Sequence, residues 1–317
     1  MVPPVRATPF FSAVLLACCG ILIISFGIRA SFGLFQIPIA EQFGWPRADF
    51  SLAIAVQNLA WGVGQPIFGA IAERFGDKKA VIIGAVLYAL GLVLSANAVT
   101  PGAHQLLNIL IGFGIAGTGF GVILAIVGRA ASSEHRSMAL GVATGVGSGG
   151  QVLGPLLAEN LLAFMPWSSV FLVFAGLILT TLFLLPFLKG EVRPARVPGE
   201  AGMAAIVGQA VRDPSFILIF VGFFSCGYQL GFLTAHFPAF ITEVCAPIAP
   251  GSLLAGLGIT TTTALGALSL ALIGVANIAG TIAAGALGKH FRKKYLLAQV
   301  YAARTVVAAA FILTPMT

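Results

Sequence analysis

An all-α membrane fold is what this sequence predicts, on three observations. The protein is 58% hydrophobic and only 9% charged over 317 residues, with a mean hydropathy of +1.02. A soluble domain carries about a quarter charged residues. The apolar residues fall in runs close to the roughly 20 that a helix needs to cross a bilayer. The charges fall between the runs and favour every second gap, as loops of one sidedness do. The runs are too long and too continuous for tilted barrel strands, so helices are the only spanning structure available.

In order, nine spans are read at about 11–35, 49–72, 80–99, 104–128, 138–164, 168–188, 214–240, 261–288 and 295–314. The stretch "LLACCGILI" belongs to the first span rather than to a cleaved leader. Fourteen of the seventeen Lys and Arg residues fall on one side: Arg6, Arg74, Lys78, Lys79, Arg129, Arg136, Lys189, Arg193, Arg196, Arg212, Lys289, Arg292, Lys293 and Lys294. Only Arg47 falls on the other, while Arg29 and Arg304 lie within spans. The bias places the N-terminus in the cytoplasm. The net charge of +7 is therefore a topology signal, with anionic headgroups as the one partner it suggests, and it calls for no nucleic acid. Cys18, Cys19 and Cys226 sit in apolar runs and Cys245 in an outer loop, so no disulfide has an obvious pair.

The longest charged break, Gly190–Ser215, holds three prolines and separates six spans from three. Three units follow: a six-helix bundle over 1–189, a cytoplasmic linker over 190–213, and a partial bundle of helices seven to nine over 214–317. Within the linker "MAAIVGQAV" reads equally as a short surface helix or as plain connection.

Two stretches repeat. "GAIAERFGDKK" begins at Gly69 and "GALGKHFRKK" at Gly285, 216 residues on, each closing the second span of its bundle. That is an internal duplication. The first copy carries Gly69, Glu73, Arg74, Gly76, Lys78 and Lys79 in the pattern G-x-x-x-[DE]-R-x-G-x-[KR]-[KR]. Here the protein resembles the major facilitator superfamily, with Glu73 where the family usually has Asp. The second copy is degraded, with Lys289 at the acidic position and Arg292 at the second glycine. Gly69 is read as a point of close helix approach and Gly76 as the sharp turn. The resemblance implies that the acid latches two bundles in one state; topology-setting charge plus a turn is the plainer reading.

The fifth span carries two glycine rows, one through Gly141, Gly145 and Gly149, the other through Gly150 and Gly154, followed by Pro155. Such rows let helices pack backbone to backbone, and the proline allows a bend. Gly154-Pro155 resembles the family's fifth-helix motif. In the fourth span Asn108 stands where many members have Arg, which weakens a proton-antiport reading. The phrases "SFGLFQIPIAEQFGW", "GQPIFG", "AHFPAF" and "ANIAGTIAAGALG" resemble the bacterial monocarboxylate and oxalate–formate porter branch. Adding the repeat length to the fourth span passes Thr317. Helices ten to twelve of that family's twelve are therefore expected to be absent, and the sequence to be incomplete at its C-terminal end.

The resemblance implies secondary active transport of a small organic anion, monocarboxylate or dicarboxylate, by alternating access across a bacterial inner membrane, coupled to protons or to exchange. It implies a monomer, no cofactor, no metal, no nucleotide and no enzymatic reaction. No P-loop pattern and no intramembrane carboxylate or His cluster is visible. Polar residues at mid-depth are the binding candidates, because polarity facing lipid is expensive: Gln57, Gln151, Tyr228 and Asn277. For each, a helix–helix hydrogen bond is the plainer role. Arg29 is the most informative: a buried guanidinium with no acid at mid-depth would take a substrate carboxylate in its fork, whereas an Arg near the outer end of its span would snorkel. Glu159 is the one acid placed to reach it. His236 is a gate or proton-linked candidate, or an interfacial side chain. Arg304 reads as a brace between helices. Efflux of an apolar drug and an inactive membrane scaffold are the alternatives.

Overall fold

The computed structural model describes residues 12–132, 135–188, 203–287 and 291–313. Residues 190–202 of the expected linker lie outside the described residues, as do Arg6, Lys189 and Lys289, and with them Arg193 and Arg196.

The first span is longer than its apolar core suggested. Helix α1 (Ala13–Ser31), capped by the Ser12 hydroxyl, runs through a 3-10 turn (Phe32–Phe35) into α2 (Gln36–Phe43). Gly44, at φ 66°, ends it in the left-handed conformation that glycine adopts without strain. Helix α3 (Arg47–Phe75) follows, then Gly76 at φ 93° and ψ 151°, where the backbone turns, and α4 (Asp77–Ser95). The fourth span is not continuous: α5 (Pro101–Thr118) stops at an extended Gly119 and α6 (Phe120–Ala130) restarts. The run Gly117-Thr118-Gly119-Phe120-Gly121 has the glycine density that lets a backbone leave helical geometry. Helix α7 (Arg136–Leu162) passes through Pro155 without interruption. Helix α8 (Trp167–Thr180) ends in a second 3-10 turn (Thr181–Phe187).

After the break come a short α9 (Met203–Ala210), the long α10 (Pro214–Val244), a single turn α11 (Leu253–Gly256), α12 (Thr262–Leu287) and α13 (Lys293–Leu313). Among the described residues, nine long helical segments therefore match the nine expected spans, and six of them are apolar enough to cross a membrane on composition. Helices α3, α7 and α13 are long enough but more polar. For α3 and α7 the reason is visible below: they carry the amides that face inward.

Helices α1 to α8 pack around two apolar clusters. One, about Phe35, Tyr88, Trp167, Phe171 and Phe174, fills the end remote from the basic loops. The other, about Cys18, Leu22, Phe26, Phe68 and Ile123, fills the basic end. Helices α10 and α12 lie against each other, with α12 along α7 and α10 against the first 3-10 turn.

Candidate functional site

Helix α1 crosses α7 with the two backbones in contact. A Cβ on Gly154 would stand 2.0 Å from the Gly27 carbonyl oxygen, and one on Gly150 would stand 2.4 Å from that of Ile23. The second glycine row is thus the packing row. The first is not: a Cβ at Gly141 or Gly145 meets nothing within 4 Å, and one at Gly149 only touches Ile278 at 4.0 Å. Gly69, read as a point of close approach, is also open. That role falls to Gly84 and Gly117, where α4 and α5 meet backbone to backbone. Spacing identifies a row of glycines; which row faces a neighbour depends on the helix's rotation.

This crossing holds Arg29 in place. Because the first span continues for 14 residues past Arg29 to Phe43, about 21 Å of helix, the side chain sits mid-segment and does not reach an interface. It is 5% exposed. Its Nη2 donates to Asn58 Oδ1 at 2.9 Å, and its guanidinium lies 4.7 Å from the centre of the Trp61 ring. Among the described residues its Nε and Nη1 have no hydrogen-bond partner. No ion pair joins it to Glu159 among the described residues.

Arg29, Phe32, Ile54, Gln57, Asn58, Thr234 and Ala235 enclose a cavity of about 10 Å³, room for about one water. Ile54, Gln57 and Asn58 line it from one face of α3, and Trp61, a turn further along that face, lies behind the guanidinium. That i, i+3/i+4, i+7 face, polar in an otherwise apolar helix, was the sequence signal for Asn58 and Trp61. The remaining wall belongs to α10, which presents Gly231, Thr234, Ala235 and Pro238 toward α1 and α3.

The other candidates are scattered. Gln57, 2% exposed, reaches the cavity, but its Nε2 donates to Asn108 Oδ1 at 2.9 Å. Asn108 Nδ2 in turn donates to the His104 carbonyl at 2.8 Å. Gln151 and Asn277 bond each other, Asn277 Nδ2 to Gln151 Oε1 at 2.9 Å, tying α7 to α12 outside the cavity. Tyr228 is 68% exposed, stacked near Phe232. It lies two turns before Ala235, at the edge of the cavity-facing stripe, but it is not among the residues that line the cavity. His236, half-buried against Phe232 at 5.0 Å between ring centres, is off that stripe. Arg304 does brace helices: it bonds Gln229, and its Nη2 donates to the Cys226 carbonyl at 3.0 Å.

At the basic end, Glu73 and Arg74 are exposed, with Arg74 over Phe75 at 5.3 Å. The buried acid there is Asp77, 3% exposed and ion-paired with Arg129, which sequence reading passed over. Asp77 opens α4 and Arg129 closes α6, so each charge also complements the helix end that carries it. At the remote end Arg47 pairs with Glu243 across α3 and α10. His104 is 2% exposed between Phe50 and Phe171, and neither ring nitrogen is bonded among the described residues. Among the described residues no group of three His, Cys, Asp or Glu is placed to hold a metal.

These features define a polytopic helical membrane protein in which two sets of helices meet over a buried, cationic pocket. The protein belongs to the Major Facilitator Superfamily, whose family model matches residues 17–317. It is 29% identical over 272 residues to monocarboxylate transporter 13 of Bos taurus, covering 83% of this sequence and 58% of that protein. It is 28% identical over 191 residues to the multidrug resistance protein MdtL of Klebsiella pneumoniae, covering 59% and 47%. The match thus spans about half the length of these relatives. Its fold matches the partially occluded inward-open xylose transporter XylE of E. coli with a TM-score of 0.60 at 16% identity, over 89% of this sequence and 74% of that one.

Proposed function

We propose that the protein moves a small monocarboxylate across a membrane by alternating access, with Arg29 as the anion-binding residue. One observation carries this reading: a nearly fully buried guanidinium whose Nε and Nη1 are unpartnered, with no acid paired to it among the described residues. An uncompensated buried charge is expensive in a membrane, and a carboxylate accepting from two guanidinium donors relieves that expense. Phe32 and Ile54 would face the rest of the ligand, and among the described residues no second cation lines the cavity. One charge among neutral walls suits a monocarboxylate better than a dicarboxylate. The name of the bovine relative agrees. The cavity holds only about one water, so binding a carboxylate requires α10 to move away from α3.

Two bodies, 1–189 and 214–317 joined by the 190–213 linker, would rock about this site. Gln57 and Asn58 would set the guanidinium's orientation, and Gln151 and Asn277 would tie the bodies at mid-depth. Coupling to a proton or to exchange goes with this reading, as do an N-terminus and basic loops on the cytoplasmic side of a bacterial inner membrane. Labelling Cys245 with an impermeant thiol reagent from the outside tests the orientation.

Efflux of an apolar drug is the alternative that the name of the MdtL relative agrees with, and the same residue disfavours it where that drug is a cation. Arg29 repels a cation and already covers the Trp61 face that would attract one. The deciding experiment is protection against thermal unfolding in detergent by acetate, lactate, malonate and tetraphenylphosphonium. The expected order puts lactate and acetate first, with protection lost in Arg29→Gln and partly kept in Arg29→Lys. Undiminished carboxylate protection in Arg29→Gln, or protection by tetraphenylphosphonium alone, overturns the reading.

A further inference from the structure

The pocket has one fixed side and one loose side. Arg29 and Phe32 stand one turn apart where α1 passes into the 3-10 turn, and the Phe32 N–H donates to the Arg29 carbonyl. Side chains three residues apart eclipse in such a turn, so Phe32 follows the direction of Arg29, and both line the cavity. A second wall is tied to the same head group. Asn58 accepts from Arg29 Nη2 at 2.9 Å, and its own Nδ2 donates to the Ile54 carbonyl at 2.9 Å. Ile54 lines the cavity one turn earlier in α3. The Phe32 ring is backed by other rings. It is 3% exposed, 5.8 Å from the centre of Phe171 and 6.4 Å from that of Phe35. Phe35 in turn lies 4.8 Å from Phe171 and 6.0 Å from Phe174. All these residues belong to the stretch from α1 to α8. Thr234 and Ala235 come instead from α10, and the Thr234 hydroxyl donates to its own helix, at the Leu230 carbonyl. Among the described residues no hydrogen bond joins α10 to Arg29, Gln57 or Asn58.

We propose that Phe32, together with Ile54, sets the length of the carboxylate that the Arg29 site accepts. The proposal rests on the anion-binding reading above and adds the residues that choose among anions. The carboxylate takes the unpartnered Nε and Nη1 of Arg29. Its tail must be enclosed again when α10 returns, because Thr234 and Ala235 line the closed cavity. The enclosed space then runs from the guanidinium to the Phe32 ring and the Ile54 side chain. These walls are packed into the same set of helices as Arg29, so the distance from head to wall is unchanged whichever way α10 moves. A ring held between two other rings does not yield. A short acid therefore fits, whereas each further methylene has to displace Phe32 or hold α10 open. Removing the ring lifts that limit. Behind it lies the apolar cluster of Phe35 and Phe171, and each methylene that enters it gains about fourfold in affinity.

The test is the concentration of acetate, butyrate or hexanoate that half-protects the protein against thermal unfolding in detergent, each variant compared with its own ligand-free state. In the parent the order is expected to run from acetate, the tightest, through butyrate to hexanoate. Phe32→Ala is expected to reverse it, with hexanoate gaining about fifteenfold over the parent for two more buried methylenes and acetate gaining nothing. Phe32→Leu keeps more of the packing and serves where Phe32→Ala does not fold. It and Ile54→Val should move the order the same way by a few-fold. Phe174→Leu loosens the same cluster away from the cavity, so it should lower the unfolding temperature and leave the order as in the parent. A folded Phe32→Leu or Phe32→Ala with the parent's order, or a Phe174→Leu that shifts the order equally, overturns the role of Phe32. Arg29→Gln separates that failure from failure of the anion reading. If it abolishes protection by all three acids while Phe32 leaves their order unmoved, the length selection falls alone. If it keeps their protection, or if no acid protects the parent, the anion reading falls and the length selection with it.

Discussion

Replacing Gly154 by alanine tests the packing at the centre of the first helix set. The added Cβ would stand 2.0 Å from the Gly27 oxygen and 2.4 to 2.5 Å from the Gly27 carbonyl carbon and Cα. All three are backbone atoms, so no rotamer change relieves the overlap. Ordinary carbon contacts begin near 3.5 Å, so α1 and α7 must part by about 1 Å or more at their crossing. Overpacking of this kind costs about 1–3 kcal/mol. Alanine returns about 0.5–1 kcal/mol through its better helix propensity, which leaves at mid-range a net loss of about 1 kcal/mol. Gly145→Ala lies on the same helix and meets nothing within 4 Å, so it keeps only the gain. The two variants should separate by about 2 kcal/mol, with opposite signs relative to the parent, in thermal unfolding followed by tryptophan fluorescence in one detergent. If Gly154→Ala unfolds at or above the parent temperature, or if the two variants lose stability alike, the assignment of the Gly150/Gly154 row to the α1 contact is wrong.

Three further outcomes rest on single contacts. Asp77→Asn should destabilise by about 1–3 kcal/mol, since it strands Arg129 beside a buried neutral side chain, and Arg129→Lys should recover part of the difference from Arg129→Leu; equal unfolding of all these variants and the parent would show the pair to be idle. Gly76→Ala should lose about 1–3 kcal/mol, because φ 93° with ψ 151° is closed to a side chain, while Gly69→Ala, inside the last turns of α3, should lose nothing by the same unfolding assay. His104→Leu should be neutral or stabilising, because it removes two buried nitrogens that have no partner among the described residues and keeps an apolar body between Phe50 and Phe171; a loss above about 1 kcal/mol in the unfolding assay would show those nitrogens to be hydrogen-bonded in the working protein.

Composition and local pattern were enough to read the helical spans, the uneven placement of charge between them and the duplicated charged turn. The bilayer forces these features locally: a backbone in hydrocarbon must bond within its own segment, and a charge must stay out of it. The turn at Gly76 and the packing of the fifth span through glycine were legible for the same local reason. Which face of any helix meets a neighbour was not. The Gly145 and Gly154 rows read alike, and Gln151 and Asn277 read like cavity residues although each satisfies the other. Tyr228 carries more chemistry than Thr234, yet Thr234 roofs the pocket and Tyr228 turns outward. Asp77 looked like one charge among several until the fold set Arg129 against it, 52 residues away. Each of these depends on the rotation of one helix about its own axis and on the partner beside it. At about 100° per residue, a shift of one position exchanges an inward for an outward side chain, and the helix that fixes the phase lies far along the sequence. Arg29 shows both halves of the division. Its cost in a membrane was legible from composition alone, whereas its burial, its bond to Asn58 and, among the described residues, the lack of a partner for its Nε and Nη1 were decided by where α1, α3 and α10 cross.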